Sequence, residues 1–419
     1  MSRFLIVGAG QCGLPLGIGL RQDGHDVTVL AQRTPDEIRA GRPTSTQVMF
    51  HPANLHEAEG GLQLWAGQVP EIAGLQMTVA GPPGGPHLEF YGALRDGPAL
   101  SIDQRLKMAG WLELLHQRGG KVHIQGVTPE DLDHLVATGH YDLAIVAAGR
   151  GDLTDLFDRD ATRSPYQVPQ RALAAVYVRG MKPDPAIDVW STVAFSAIPG
   201  VGDLIVIPAL TMSGPCHILF WEALPGGPAD VFDKLRPPEH LAQAIGLIRE
   251  YTPWLYPRCT QLELTDRHAT LTGRITPTVR HPIATLPSGG LAMGAADVVI
   301  ANDPLVAQGA NTAARAAAYY LQQIRDNEGR DFDAAWMHRT FNQFWNATGE
   351  RVTQWTNGML QPPPPHVQRI LGAATVHREV ADRFVHGFED PNTLDWLLDA
   401  TAADAYLNQL STAATPPAA

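Results

Sequence analysis

The segment RFLIVGAGQCGLPLGIGLRQDGHDVTVL, residues 3–30, decides the fold of this chain. A short apolar run meets three glycines in the spacing G-x-G-x-x-G, and an amphipathic helical stretch and a second apolar run follow. The first glycine permits a tight turn, the second lets a pyrophosphate approach the backbone, and the third lets helix and strand pack closely. The helix N-terminus offers free N–H groups to the phosphates. We therefore predict a dinucleotide site, with a purely structural glycine turn as the alternative. The turn residues predicted to bind the cofactor are Gly8, Gly10, Gln11, Cys12 and Gly13.

The second strand ends without the acidic residue that usually binds the adenosine ribose. The chain reads Ala31, Gln32 and Arg33 at this place. We predict that Gln32 hydrogen-bonds the ribose and that Arg33 stacks on adenine or meets a phosphate. The alternative is that both are solvated loop residues.

Composition and charge argue against several classes of protein. The chain has 419 residues, of which 44% are hydrophobic and 18% charged, and its net charge is −12. This composition is typical of a soluble protein with two or three domains, and the charge argues against nucleic acid or an anionic membrane as the main partner. No apolar run is long enough to span a bilayer, and the three scattered cysteines favour neither a disulfide framework nor a zinc site. We expect a cytoplasmic protein without a metal.

Three later segments favour FAD as the dinucleotide. Residues 101–122 read as a helix with a Ser/Asp cap that feeds a strand, and Arg105 in its first turns is predicted to reach cofactor oxygens, with an exposed helical arginine as the alternative. Residues 141–152 read as an apolar parallel strand that ends in a small-residue turn. Residues 291–324 place an acid, a proline loop and the start of an Ala-rich helix in that order.

The order of residues in the third segment suits a flavin. Asp297 is predicted to hold the ribityl hydroxyls, with a helix or turn cap as the alternative, and Pro304 is predicted to lie against the isoalloxazine ring. N–H groups at the start of the Ala-rich helix would hold negative charge on a reduced ring. The residues predicted to supply them are Gln308, Gly309, Ala310 and Asn311.

These segments, in this order, resemble the FAD-dependent monooxygenases of the para-hydroxybenzoate hydroxylase fold, and more closely the two-component styrene and indole monooxygenases. The resemblance runs from residue 1 to about 400 and rests on VGAGQCGLPLG, DVTVLAQRTPDEI, FYGALRDGPALSIDQRL, YDLAIVAAGR, SPYQVPQRAL and NDPLVAQGAN. One departure is Ala307, where many flavoproteins have glycine.

The resemblance implies FAD used as FADH2, with O2 as the oxidant, and an electrophilic C4a-hydroperoxide as the oxygen donor. A separate NAD(P)H:flavin reductase would supply the FADH2. Single-component hydroxylases carry an Asp-Gly motif after the third nucleotide-domain strand, and the corresponding stretch AAGRGDLTDLFDRDATRSPYQVPQ lacks it. A homodimer is also implied.

The stretch GRPTSTQVMF, residues 41–50, follows the second nucleotide-domain strand, and the resemblance places it beside the isoalloxazine ring. Arg42 stands where the family has an arginine near the flavin. Styrene epoxidases carry Asn, Val and His at the positions matching Ser45, Gln47 and Met49, so the resemblance points to the indole-oxidising branch. A buried Gln47 would hydrogen-bond the indole N–H, which styrene lacks, and the polarizable Met49 suits an aromatic ring. The alternative is a strand with one wet face, in which Met and Phe belong to the core.

The rest of the predicted pocket is apolar. Styrene epoxidases carry Tyr, His and Ser where this chain has Ile72, Leu75 and Ala99. The apolar residues of this chain would make a drier pocket wall. The residues predicted to act in the reaction are Arg42, Ser45, Gln47 and Met49. The residues predicted to line the substrate pocket are Thr46, Ile72, Leu75, Ala99 and Pro304.

The predicted fold class is α/β. It combines a Rossmann-like FAD-binding domain of the para-hydroxybenzoate hydroxylase type, a substrate domain on a mixed or antiparallel sheet, and C-terminal helices. Alternating β-branched residues between Gly/Pro turns predict the sheet. The predicted boundaries are 1–70, 90–160 and 270–325 for the FAD-binding domain, 71–89 and 161–269 for the substrate domain, 326–410 for the helical region, and 411–419 for a disordered tail.

The sequence thus predicts an FADH2-dependent monooxygenase that epoxidises indole at C2=C3, with indoxyl and then indigo as products. Styrene epoxidation or sulfoxidation of small aryl substrates is the near alternative. A flavin- or NAD-dependent dehydrogenase is an alternative from another class, disfavoured by the missing ribose acid and the Asp297 loop. A non-catalytic flavin-binding protein is the remaining one.

Overall fold

A computed structural model describes residues 1–82, 85–149 and 151–413 of the chain. Its strands are β1 Arg3–Val7, β2 Asp26–Ala31, β3 Glu71–Ile72, β4 Gly74–Val79, β5 Leu88–Ala93, β6 Ala99–Leu100, β7 Lys121–Ile124, β8 Leu143–Val146, β9 Ala172–Arg179, β10 Thr192–Ile198, β11 Gly202–Thr211, β12 Gly214–Ala223, β13 Glu263–Leu264, β14 Thr270–Arg274, β15 Thr278–Val279, β16 Ile283–Thr285, β17 Leu291–Gly294 and β18 Ile300–Ala301. Its α-helices are α1 Gly13–Gln22, α2 Pro35–Ala40, α3 His51–Glu59, α4 Gln104–Gln117, α5 Pro129–Ala137, α6 Pro237–Tyr251, α7 Gln308–Asp326, α8 Ala334–Phe344, α9 Glu350–Met359, α10 Pro365–Ala374, α11 Arg378–Glu389, α12 Asp395–Leu398 and α13 Ala400–Ala413.

The first strands of the chain belong to a six-stranded sheet in the order β16-β17-β8-β1-β2-β7, parallel except at the β16–β17 pair. The apolar runs of β1 and β8 are buried almost throughout, as parallel strands covered by helices require. Val7 pairs with both Leu30 and Val146, so three strands end side by side. The predicted strand–turn–helix–strand unit is present as β1, α1 and β2, and its glycine turn opens at this edge.

A second, eight-stranded sheet has the order β13-β9-β12-β11-β10-β4-β5, with β14 also paired to β9. Its pairs are antiparallel except β10 and β4, which run parallel, so the sheet is mixed. β11 and β12 pair over ten residues each and are almost fully buried because both faces are covered. We refer to this eight-stranded sheet as the large sheet.

Two strands of the large sheet extend past the domain boundaries that we drew from the sequence. β5 continues to Ala93, beyond the boundary at 90, and β14 begins at Thr270, where the FAD-binding domain was predicted to resume. Both strands are exposed in part and carry glycine, so their pairing partners rather than their own residues decide the sheet to which they belong.

The region after residue 330 is helical, as predicted, and packs on both sheets. Phe384 of α11 lies edge-on to Phe90 of β5 and to Trp355 of α9. α9 ends before the proline run, and α10 starts at Pro365. α13 reaches Ala413, so the first residues of the predicted disordered tail continue a helix, while 414–419 lie outside the described residues.

The three cysteines, Cys12, Cys216 and Cys259, are buried free thiols. Among the described helices, none combines the length and the apolar character needed to cross a membrane.

Candidate active site

A cavity of about 730 Å³ lies between the carboxyl ends of the parallel strands and the large sheet. Its size is typical of sites that hold cofactors or small ligands. One part of its lining comes from the ends of β1, β2 and β8, and another part comes from β10, β11 and β12. The segment after β18 and the first turn of α7 complete it.

The glycines of the first turn have different surroundings. A Cβ added to Gly8, which has φ +119°, would lie 2.7 Å from the backbone of Ala147, and one added to Gly13 would lie 2.0 Å from the carbonyl oxygen of Gly8. Around Gly10, by contrast, no heavy atom lies within 4 Å of an added Cβ, and this open space is part of the cavity. Since α1 begins at Gly13, the positive end of its dipole lies at this turn, and the turn fits a pyrophosphate.

The residues after β2 line the same cavity. Gln32 and Arg33 are both exposed there, next to Ala31. Thr34 then caps α2 in a capping box with Glu37. The strand end therefore presents an amide and a guanidinium group where an acid is usual.

Arg105 lines the cavity, but its nitrogens are committed to protein partners. Nη2 bonds Asp103 Oδ2 at 2.7 Å and Asp266 Oδ2 at 2.9 Å, and Nη1 also donates to the carbonyl oxygen of Gly41. Burial opposes the charge, but the hydrogen bonds to Asp266 and Asp103 outweigh it and raise the pKa of Arg105. Arg105 therefore ties α4 to the segments around Gly41 and Asp266. Its contact with cofactor oxygens stays a prediction, and Arg105 lies at the cavity where that contact would form.

The acid, proline loop and helix predicted near residue 300 meet at the cavity. Asp297 lies in a helical turn after β17, and a Cβ on Gly149 would come within 2.5 Å of its Cβ. Pro304 opens a second turn, and Ala307 adopts the left-handed φ of +55° that ends it. The departure from glycine at 307 thus leaves the turn intact, although an L-residue is strained there. α7 begins at the next residue, and its first amides have no helical partner.

The side chains at the start of α7 divide into two kinds. Gly309 and Ala310 line the cavity. Gln308 instead donates to the carbonyl oxygens of Val306 and Phe388, and Asn311 is fully buried. Asn311 accepts from the N–H of Phe50 at 2.8 Å and donates to the carbonyl oxygen of Val48 at 2.7 Å. These two side chains brace the loop, and Oε1 of Gln308 is buried without a partner among the described residues.

The stretch 41–50 is extended and irregular rather than a strand with one wet face. Its cavity-lining residues are Arg42, Thr44, Ser45, Thr46, Gln47, Val48 and Phe50. Arg42 is exposed, and the Ser45 hydroxyl donates to the carbonyl oxygen of Thr46 at 2.9 Å.

Gln47 is the buried polar residue of this stretch, with 4% of its surface exposed. Its Nε2 donates to the carbonyl oxygen of Ile102 at 3.1 Å, which fixes the orientation of the amide. Its Oε1 is buried and has no hydrogen-bond partner among the described residues. Gln47 is thus a cavity-lining residue with a buried acceptor that has no donor in the part of the chain that the structure describes.

Three predicted pocket residues do not reach the cavity. Met49 exchanges backbone hydrogen bonds with Leu100, and its side chain packs on Ala53 and Ala314 with 1% exposed. Ile72 and Ala99 pair across β3 and β6 and are fully buried in the core behind the wall. Leu75, the fourth apolar prediction, does line the cavity. Met49 was predicted to act in the reaction, and Ile72 and Ala99 were predicted to line the substrate pocket; these three assignments are therefore corrected.

One group of carboxylate and imidazole ligands lies elsewhere. Asp96, His386 and Glu389 have candidate ligand atoms within 4.8 Å of one another. The Glu389 carboxylate accepts the N–H groups of Arg95 at 2.6 Å and of Asp96 at 3.1 Å, so its oxygens are already used. We assign no metal to this group.

The family model described as "Styrene monooxygenase A putative substrate binding domain" matches residues 149–258. Styrene monooxygenase StyA of Pseudomonas fluorescens is 32% identical to this chain over 405 residues, and the match covers 93% of each chain. This chain belongs to the styrene monooxygenase family. It is a flavin-dependent monooxygenase, and the resemblance seen in the sequence is confirmed at this level. Its placement in the indole branch stays a prediction.

Solved structures agree with the family on the fold. A flavoprotein/dehydrogenase of Cytophaga hutchinsonii superimposes with a TM-score of 0.70, at 13% identity and with 98% of each chain covered. The flavin-dependent halogenase CmlS gives a TM-score of 0.65, at 16% identity, with 98% of this chain and 77% of that chain covered. At such identities the likeness concerns the fold alone, and it confirms the predicted α/β architecture.

In this styrene monooxygenase family member, the large sheet supplies an apolar wall that we did not predict residue by residue. The wall comprises alternate residues of three neighbouring strands, whose side chains share one face of the sheet. Its residues are Val193, Phe195, Ile205, Ile207 and Phe220. The alternation in DVWSTVAF and DLIVIPAL was the signal for it. The pairing order that brings the three strands together is a tertiary property.

Asn302 is a second residue of this family member that the sequence reading missed. It is 6% exposed, lines the cavity, and has no partner for either polar atom of its side chain within the described residues. Its position two residues before Pro304 was the available signal.

Proposed function

We propose that this flavin-dependent monooxygenase uses FADH2 and O2 to epoxidise indole at C2=C3. The epoxide would open to indoxyl, and air oxidation would give indigo. The observation that carries the proposal is the buried Oε1 of Gln47, which has no donor among the described residues and belongs to a cavity that the large sheet gives an apolar wall.

The chemistry of Gln47 favours a substrate with an N–H group. Nε2 of Gln47 donates to the carbonyl oxygen of Ile102, and Oε1 is the polar atom of this side chain that has no partner among the described residues. A buried acceptor without a donor costs about 1–3 kcal/mol. Indole would satisfy it, whereas styrene has no polar hydrogen. The apolar wall, with Phe195 and Phe220, suits the rest of an aromatic ring system.

The residues around the cavity fit FAD as the cofactor. The open space beside Gly10 accommodates the pyrophosphate, and Gln32 and Arg33 lie where the adenosine half would be. Asp297 would take the ribityl hydroxyls, and the first amides of α7 would face the flavin ring beside Pro304. When bound, reduced FAD supplies activated oxygen from O2.

The chain itself has three tasks in this reaction. Gln47 orients the ring through its acceptor, Arg42 places a positive charge at the cavity, and the sheet wall excludes water from the reacting atoms. Ser45 and Thr46 add hydroxyl groups to the same edge.

Styrene epoxidation is the second candidate. The relative at 32% identity is named a styrene monooxygenase, and the apolar wall accepts a vinyl benzene as readily as an indole. A dehydrogenase or a non-catalytic flavin protein no longer competes, because family membership makes the chain a monooxygenase.

The partner proposed for this chain is a separate NAD(P)H:flavin reductase that supplies FADH2 in the cytoplasm, and the active form is proposed to be a homodimer. Both follow from the resemblance to two-component enzymes. The test compares purified protein with NADH, FAD and indole in the presence and absence of a flavin reductase. Product should form only with the reductase, or with chemically reduced FAD in its place. NADH oxidation by the purified protein alone would contradict the two-component arrangement.

A further inference from the structure

A cluster of buried carboxyl groups lies where the large sheet meets the segment that leads into Pro304. Glu222 of β12 and Asp303 are both fully buried, and Glu222 stands opposite Asp203 in the β11–β12 pairing. Arg171 is the cation of this cluster, and its Nε donates to Asp203 Oδ2 at 3.1 Å. Three buried carboxyl groups therefore face one guanidinium group. We call these four residues the acid cluster.

Two of the carboxyl groups are neighbours. Glu222 and Asp303 each shift the pKa of the other. Neither oxygen of Glu222, nor Oδ2 of Asp303, has a hydrogen-bond partner in the part of the chain that the structure describes. Two adjacent buried carboxylates cannot both stay ionised, so such a pair holds one proton between them.

The surroundings place this proton on Glu222. Asp303 Oδ1 accepts the N–H of Leu305 at 3.2 Å, and hydrogen bonds of this kind favour an ionised carboxyl group. Burial, followed by the charges of Asp303 and Asp203, raises the pKa of Glu222 well above its ordinary value. The charged groups that face Glu222 across this contact are Asp303, Asp203 and Arg171.

The contact between Glu222 and Asp303 fixes a segment that lines the cavity. Asp303 caps the turn Pro304–Val306 through its bond to the N–H of Leu305. Asn302, on the other side of Asp303, is a cavity-lining residue whose buried side-chain amide has no partner among the described residues. The donor and acceptor of this amide match the N–H and C=O groups at the edge of a flavin ring. The position of Asp303 therefore determines the positions of its chain neighbours Asn302 and Pro304.

We propose that Glu222 is a positioning residue for the flavin, because its proton joins it to Asp303 and so holds Asn302 and Pro304 at the cavity wall. When Glu222 loses this proton, two buried carboxylates repel each other and the segment leaves the wall. Affinity for FAD then falls as the pH rises. The proposal rests on the placement of the flavin ring beside Pro304 in the proposed function.

The proton on Glu222 also determines whether the folded state gains or loses stability as the pH rises. The folded state keeps Glu222 protonated over a pH range in which the unfolded chain releases the proton. The stabilisation is therefore complete below the ordinary pKa of a glutamate and is lost as the pH rises through the folded value. Glu222→Gln keeps an N–H donor toward Asp303 but cannot ionise, so this loss should disappear in the variant.

The first measurement uses the apoprotein and needs no flavin. Infrared spectra at about pH 8 should show the carbonyl stretch of a protonated carboxyl group, since a free glutamate is ionised there. Burial raises the pKa of Asp203 only to about 6, so Asp203 contributes little at that pH. The band should vanish in Glu222→Gln and persist in Glu263→Gln, which removes an exposed carboxylate paired with Arg179. A wild type without the band, or a Glu222→Gln variant that retains it, overturns the proposal.

The second measurement is the dissociation constant of FAD for the apoprotein between about pH 6.5 and pH 9.5. Wild type and Glu263→Gln should lose about tenfold or more in affinity as the second carboxylate forms, one pKa unit being worth a factor of ten. Glu222→Gln should hold the neutral-pH affinity throughout. Equal pH dependence in wild type and Glu222→Gln overturns the positioning role. Absence of FAD binding at every pH overturns the proposed flavin site together with it, even with the infrared band present.

Discussion

At the scale of the residue, we propose that substrate choice depends on the buried acceptor of Gln47. Gln47→Val should lower the preference for indole over benzofuran, which has the same ring shape with an oxygen in place of the N–H. The expected change is about five- to hundredfold, equivalent to the ~1–3 kcal/mol of a buried hydrogen bond. The measurement is the ratio of kcat/KM for the two substrates, and styrene should gain in the same direction as benzofuran.

A second cavity-lining amide provides the control for Gln47. Gln104 lines the same cavity, but its Oε1 accepts from the Thr44 hydroxyl at 3.2 Å. Gln104→Val should therefore leave the indole-to-benzofuran ratio unchanged. If Gln47→Val kept the wild-type indole-to-benzofuran ratio, Gln47 would have no part in substrate recognition.

Substitutions at two glycines of the first turn should affect cofactor binding and folding separately. Gly10→Ala should leave the melting temperature unchanged, because an added Cβ meets no atom within 4 Å, yet it should weaken FAD binding because the methyl group occupies the phosphate space. Gly13→Ala should lower the melting temperature, because its Cβ would lie 2.0 Å from a carbonyl oxygen. Thermal unfolding and FAD titration of both variants test this, and equal FAD affinity in Gly10→Ala and wild type would contradict it.

Some side-chain positions can be predicted from this sequence and others cannot. The difference is how far away in the sequence the residues lie that orient each side chain. Gln47 and Leu75 reach the cavity as expected, whereas Met49 and Ile72 do not. The side chain of Met49 faces the core because its backbone pairs with Leu100, about fifty residues away in sequence. No local pattern encodes that pairing.

At the scale of the element, a buried ion pair joins three segments beneath the first turn. Lys107 of α4 bonds Glu57 of α3 at 2.6 Å, and Glu57 also accepts from Gln11 of the turn at 2.7 Å. Lys107→Met should lower the free energy of unfolding by about 3–5 kcal/mol, since it leaves Glu57 buried without a counter-ion. Adding Glu57→Gln should recover most of that loss. Urea unfolding of the single and double variants provides the measurement.

An exposed lysine pair is the control for this prediction. Lys121 bonds Asp26 at 2.8 Å, but its side chain is 54% exposed. Lys121→Met should therefore cost no more than about 1 kcal/mol. Equal losses in Lys107→Met and Lys121→Met would show that the buried pair does not brace the turn.

Elements with a strong local signature were predictable, and those fixed by distant pairing were not. β1, α1, α4 and α7 start and end close to the expected residues because glycine turns, caps and apolar runs mark them. β5 and β14 fall on the far side of the predicted boundaries because each pairs with a strand of the large sheet.

At the scale of the whole molecule, the parallel sheet and the large sheet line different parts of one cavity. The parallel sheet brings its strand ends to the nucleotide half, and the large sheet turns an apolar face to the other half. The segment 302–307 lines this cavity, and we propose that the acid cluster behind the segment positions it. Family membership makes the chain a flavin-dependent monooxygenase, and we propose that the large sheet and Gln47 set its substrate.

The measurement that tests this account most directly is a competition between indole and styrene. The purified protein, a flavin reductase, NADH and FAD would turn over both substrates at equal concentration in air, with indigo, styrene oxide and H2O2 quantified together. We predict that indole-derived pigment exceeds styrene oxide and that H2O2 stays the minor product. Styrene oxide in excess would contradict the assignment to indole, and H2O2 as the sole product with either substrate would contradict the proposed pocket.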